Sequence, residues 1–275
     1  MTTFTKVNSI NRNKIKSIVG VHVNRIGKFN NKSVAWGNND NGRLGLGDVV
    51  HRSSPVQVGA LTNWVSVAGR SHTLAINDAG QLFTWGRNDN GQLGLGDVEG
   101  RSSPVQVGSK TNWVSVAGGM HHTLAINDVG QLFAWGNNDN GRLGLGDVVH
   151  RSSPVQVGAL TNWVSVAGGG PHTLAINNAG QLFAWGLNSY GRLGLGDIVW
   201  RSSPVQVGAL TNWVSVAGGW NHALAINNAG QLFAWGHNGF GRLGLGDVAH
   251  RSSPVQVGPI YDWDKISAGH NHSMG

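Results

Sequence analysis

The sequence predicts an all-β protein, a β-propeller of five blades with four antiparallel strands each, closed by pairing of the N- and C-terminal strands. Three observations predict it. Trp85, Trp135, Trp185 and Trp235 stand 50 residues apart in nearly identical surroundings, with Trp36 49 residues before the first. A period of that length, filled with short strands, is the signature of a propeller blade. The composition agrees, because 43 of 275 residues are Gly and only 12% are charged, which favours tight turns over helices. Finally, the repeat is permuted at the ends: the chain enters its first unit late and leaves its last one early.

The strands follow in order. HTLAIN and QLFAWG flank an Asn-Asp/Asn-x-Gly turn, which reads as a hairpin. PVQVG alternates apolar and polar residues, and Pro104 opens its strand, where a missing N–H costs little. WVSVAG also alternates, which places Trp113, Ser115 and Ala117 on one face and Val114 and Val116 on the other. PVQVG, the WVSVAG-type strand and the AWG strand each occur five times, counting KSVAWG at 32–37 and DWDKISAG near the end. HTLAIN has its fifth copy only in His272-Ser273-Met274-Gly275. Pairing Ser273 and Met274 with Val34 and Ala35 would close the ring and remove both open edges. A regular ring of five would turn about 72° per blade.

The run G-x-x-H-T-x-A-I-x-x-x-G-Q-L-F-x-W-G-x-N-x-x-G-x-L-G-x-G-D resembles the repeat of the RCC1 (regulator of chromosome condensation) family. It occurs at 118–147, 168–197 and 218–247, and at 69–97 with one residue deleted near Arg70. The resemblance covers residues 32–275. It implies a propeller, usually of seven blades, and a regulator that exchanges nucleotide on a small GTPase or binds chromatin. The five units here and the lack of an inserted wedge weigh against nucleotide exchange.

Residues 1–31 lie outside that resemblance and are read as a separate basic segment. Seven of the 20 Lys and Arg fall in residues 1–32, with none of the 13 acids, so the rest of the chain is balanced. Lys6, Arg12, Lys14, Lys16, Arg25 and Lys28 are the candidate anchoring residues. A basic leader can grip an acidic protein surface or nucleic acid, and a protein partner in a larger assembly is the preferred reading. Ile15-Lys16-Ser17-Ile18-Val19-Gly20 and Ile26-Gly27-Lys28-Phe29-Asn30-Asn31 form short units that resemble the leaders of some bacteriophage tail and appendage proteins. The expected setting is therefore a virion appendage or decoration protein that contacts a host-surface protein or glycan. The alternative is a soluble cytoplasmic regulator. The chain has no Cys, which rules out disulfides and thiolate metal sites. No run approaches the ~20 apolar residues that span a bilayer.

Most motifs read as framework. The aligned His72, His122, His172, His222 and His272 cap or pack at their own strand starts, in preference to forming a metal ring. NNDNGRLGLGD has neither calcium-loop nor phosphate-loop spacing and reads as tight turns. Asp48/Arg52 and its four copies read as a loop-clamping ion pair. No unique nucleophile or carboxylate pair stands apart from the repeat, so neither an enzyme nor a cofactor is expected. The variation between copies is the functional signal. Tyr190, Trp200, Trp220, Phe240, Met120, Arg87 and His237 enter loops where sister copies carry other residues. Aromatics and Arg on a rigid scaffold are what binding surfaces use. They are the candidate partner-binding residues.

Overall fold

The structure is a computed structural model that describes residues 31–275. The six anchoring cations lie outside the described residues. The chain enters on a two-stranded half-blade, β1 (Val34–Gly37) and β2 (Arg52–Gln57). Four complete blades follow. They are β3 (Trp64–Gly69), β4 (His72–Asn77), β5 (Leu82–Gly86) and β6 (Arg101–Gln106); β7 (Trp113–Gly118), β8 (His122–Asn127), β9 (Leu132–Gly136) and β10 (Arg151–Gln156); β11 (Trp163–Gly168), β12 (His172–Asn177), β13 (Leu182–Gly186) and β14 (Arg201–Gln206); and β15 (Trp213–Gly218), β16 (His222–Asn227), β17 (Leu232–Gly236) and β18 (Arg251–Gln256). The last half-blade is β19 (Ser267–Ala268) and β20 (Ser273–Met274). All pairings are antiparallel between sequence neighbours. The strands supply five blades, as the repeat count predicts.

The core lies between blades rather than within them. Leu74, Ile76 and Leu82 of one blade pack on Trp113, Ala125 and Trp135 of the next. The same cluster recurs one blade further on with Leu124, Ile126, Leu132, Trp163, Ala175 and Trp185. The indoles of Trp85, Trp135, Trp185 and Trp235 each sit on a glycine of the preceding blade. A Cβ added to Gly45, Gly94, Gly144 or Gly194 would stand 2.6–2.8 Å from the Nε1 of Trp85, Trp135, Trp185 or Trp235. No other residue fits there, which is why the glycine is copied along with the tryptophan.

The fifth blade is supplied by the two terminal half-blades, two strands from each. Val34 and Ala35 pair with Gln57 and Val56, whereas Ser273 and Met274 pair with Ala268 and Ser267. The half-blades remain separate sheets. Gly244 faces only Val257, where its sisters face a tryptophan, and Gly37 has nothing within 4 Å.

The reading of WVSVAG as a simple alternation also needs correction. A register shift between Trp113 and Ser115 interrupts it. Trp113 and Val116 therefore join one inter-blade cluster, Ala117 packs against the next, and Val114 is exposed. An extra residue in one strand of a pair flips the faces beyond it.

Candidate binding face

Antiparallel order decides which loops share a side. The connection from the first to the second strand of a blade and that from the third to the fourth emerge on one face of the propeller. All seven candidate binding residues lie in those two kinds of loop, so they share one face. The sequence alone left that open.

Beneath this face the aligned histidines join the blades. His72 Nε2 lies 2.6 Å from Thr123 Oγ1, His122 Nε2 lies 3.1 Å from Thr173 Oγ1 and His222 Nε2 lies 3.0 Å from Ser273 Oγ. The hydroxyls of Thr123, Thr173 and Ser273 donate to the carbonyls of Gln92, Arg142 and Arg242. Each hydroxyl must then accept from the imidazole, which places a proton on Nε2. Burial pushes His72 down to about 3, aided by His121, and His222 to about 3, aided first by Arg242. The rings thus bridge adjacent blades and do more than cap their own strands. Position 223 is the exception: it holds Ala, and both ring nitrogens of His172 are without a partner. Among the described residues no three His, Cys, Asp or Glu side chains gather to hold a metal.

The loops are clamped as their charges suggest. Arg52, Arg101, Arg151 and Arg201 reach Asp48, Asp97, Asp147 and Asp197 at 2.6 Å, and Arg251 reaches Asp247 at 2.5 Å. The Val149 N–H above all, and then Arg151, hold Asp147 below the ordinary carboxylate range against an opposing effect of burial. Buried Asn138 ties the loop together: its Nδ2 donates to the Asp147 carbonyl, and its Oδ1 accepts from the Leu143 N–H. Asn39, Asn88, Asn188 and Asn238 do the same. Loops held this way can vary at their tips without unfolding.

The tips carry the differences. Tyr190 is 45% exposed and has φ of 64°, at the position where Asn41 and Asn140 have φ of 61° and 59°. Asn tolerates that left-handed conformation, whereas an aromatic residue there is an outlier. The Tyr190 ring meets His237 at 4.5 Å and His250 at 5.0 Å, both edge-on. Phe240, 72% exposed, extends this group beside His237, and Arg242 lies 5.2 Å over its ring. Burial first, then Arg242, lowers the His237 pKa. Trp200 is exposed where His51, His150 and His250 accept the N–H of Asn39, Asn138 and Asn238 through Nδ1; an indole has no acceptor there. Trp220 is half-buried and stacks on His270 at 4.4 Å. Met120 is half-buried, and Arg87 is held by Asp89 at 2.5 Å. The structure thus groups Tyr190, His237 and Phe240, and places Trp220, Trp200, Met120 and Arg87 elsewhere on the same face.

Sequence reasoning missed a set of cations. Arg142, Arg192 and Arg242 are buried, and Arg70 reaches across the central channel to donate to the Gly218 carbonyl at 2.6 Å. The available signals were the exchange of Arg for Gln92 in one copy and the single-residue deletion at Arg70.

The family model for the regulator of chromosome condensation (RCC1) repeat matches residues 35–76, 79–126, 129–176, 179–226 and 229–275. Among solved structures, human WBSCR16 is similar with a TM-score of 0.78 and 26% identity, over 87% of this chain and 66% of that one. Yeast RCC1 (Prp20) bound to Kap60 gives a TM-score of 0.78 and 23% identity, over 89% and 63%. Prp20p from Saccharomyces cerevisiae, reported with its binding properties to Gsp1p and histones, gives 0.75 and 22%, over 89% and 64%. The chain spans just under two thirds of the length of each. The family matches begin at residue 35, so they lend no support to the resemblance of the leader to bacteriophage appendage proteins.

Proposed function

The chain belongs to the RCC1 repeat family, and from that premise we propose that it is a non-catalytic binding protein that docks a protein partner on its loop face, as an RCC1-type regulator does. Tyr190 carries the reading. Two sister loops take the same left-handed turn with Asn41 and Asn140, yet this loop holds an exposed aromatic ring in a conformation that Asn adopts more easily. Strain kept at an exposed position points to use rather than packing. Phe240 and His237 extend that surface. Binding is favoured over nucleotide exchange because every loop keeps the length of its sisters to within one residue, with no insertion to act as a wedge. The virion setting and the glycan ligand expected from the leader find no support in the family match or the fold, and a regulator-type protein partner replaces them.

The repeat supplies its own controls. Tyr190→Asn and Trp200→His install residues that sister blades already use. Binding of the chain to histones and to a small GTPase is measured in parallel with thermal unfolding. The variants should keep or raise Tm and lose about 1–3 kcal/mol of affinity for the partner that binds. A lower Tm with unchanged affinity would make these side chains packing elements.

A further inference from the structure

The loop side of the central channel carries arginines that the fold does not pair. The ion pairs among the described residues engage Arg52, Arg87, Arg101, Arg151, Arg201 and Arg251. Arg142 and Arg192 form none, although Arg192 is only 2% exposed. Their Nε atoms donate to the carbonyls of Asp139 and Ser189 at 3.1 and 3.0 Å. Arg192 Nη1 reaches inward to the Trp220 carbonyl of the next blade at 3.5 Å, a long contact. Arg242 repeats this with the His270 carbonyl at 3.0 Å. These carbonyls belong to the innermost loops, which are joined in a hoop by Met120 N–H to Gly169 O, Gly170 N–H to Gly219 O and Trp220 N–H to Gly269 O. Arg70 spans the channel beneath that hoop.

Carbonyls satisfy single N–H groups but leave guanidinium charge uncompensated, and burying such charge is costly. One nearby acid, Asp139, favours the charged form of Arg142, but the two form no salt bridge. The Asp139 carboxylate accepts from Asn137 and stands 3.9 Å from His150, while Asp89 pairs with Arg87. The neighbouring histidines add no negative charge. His122 and His172 are held neutral by burial first, and next by Arg142 and Arg192 respectively.

The fold does not require these cations. Gln92 occupies the same position in a sister blade, where it donates to Asp89 and accepts from the Asn90 N–H, and its carbonyl takes the same Thr and Trp bonds. A cation kept at four of the five positions, Arg43 included, where Gln suffices is available for something else. Guanidinium forks match the geometry of carboxylate and phosphate oxygens.

We propose that the loop mouth of the central channel binds an oxyanion, a phosphate or carboxylate group, held by Arg70, Arg142 and Arg192. The inference rests on the loop face being the binding face and names the chemistry its centre takes. The test uses inorganic phosphate, which needs no protein partner, so failure here is distinct from failure to bind one. Thermal unfolding of the 275-residue chain is followed in phosphate, acetate and chloride at equal ionic strength. At about ten times its Kd, phosphate should raise Tm by roughly 3–5 °C over chloride. Arg142→Gln with Arg192→Gln copies Gln92; it should keep its Tm in chloride and lose the phosphate shift, as should Arg70→Gln. Arg151→Gln, in a peripheral ion pair, should retain the shift. An equal effect of acetate identifies carboxylate as sufficient; an effect of phosphate alone identifies the phosphate group. No shift in the wild type, or a full shift in the double variant, overturns the site.

Discussion

At the scale of single residues, near-identical repeats turn each departure into an internal experiment. Ala223 is the clearest. At sister positions Thr73, Thr123, Thr173 and Ser273 donate a hydroxyl to the preceding blade's carbonyl, and His72, His122 and His222 bridge to that hydroxyl from the blade before. At position 223 the histidine stays and the hydroxyl is gone, so His172 is buried without a partner. Ala223→Thr should therefore stabilise the chain by about 1 kcal/mol, the net value of a restored hydrogen bond. Denaturant titration of the two proteins checks this; an unchanged midpoint would mean that the site cannot admit the side chain. The buried histidines also set a pH dependence. Their folded pKa values lie below the ordinary 6.5, near 3 for His72 and His222, so the unfolded chain binds protons more readily. Their contribution is fully present above pH 6.5 and is lost as pH falls toward 3. Tm should drop between pH 6.5 and 4.5, before the carboxylates of the Asp–Arg clamps protonate. A Tm that stays flat across that window would contradict the neutral, buried imidazoles.

At the scale of strands and blades, the sequence was most legible where side chains face other repeats. The Trp and Gly periodicities located each strand, and the Asp–Arg spacing foretold each clamp. Val114 defeated the alternation because a register shift is a property of two paired strands, and one strand's pattern does not show it. The histidine bridges were illegible for a related reason: His122 and Thr173 are 51 residues apart, and only blade stacking brings them together. The buried arginines escaped notice because Arg in a Gly-rich loop reads as solvent-facing, whereas the innermost loops of the next blade cover it. Because blades cohere through Trp-on-glycine contacts, Trp135→Ala should cost about 3–5 kcal/mol, the usual loss for a large buried ring. Gly94→Ala should also be costly, since its Cβ would meet the same indole at 2.6 Å. Urea unfolding of each variant measures both losses. A mild effect of Gly94→Ala would show that the interface can yield.

At the scale of the whole molecule, a fifth blade assembled from two terminal half-blades makes stability uneven. β8 and β12 are buried along their full length and flanked by complete sheets. β1 and β20 each border a two-stranded sheet only, and Met274 is exposed. Opening free energies fall where contacts and ladders are few. Hydrogen exchange should therefore be fastest in β1, β2, β19 and β20 and slowest in β8 and β12. Uniform protection across all twenty strands would mean that the terminal half-blades are held as firmly as the complete sheets. The propeller and its five blades were legible from the repeat.

Paired indoles have an optical consequence. Trp64–Trp85, Trp113–Trp135 and Trp163–Trp185 stand 6.2, 6.4 and 6.2 Å apart, tilted by 52°, 55° and 57°. Chromophores this close couple their electronic transitions, and a fixed tilt gives that coupling a fixed sign. Because the geometry is copied rather than merely similar, the contributions of successive blades add instead of cancelling. The amplitude of the near-ultraviolet circular dichroism should then scale with the number of intact blades, so that a melting curve read at that band would tally blades as they come apart.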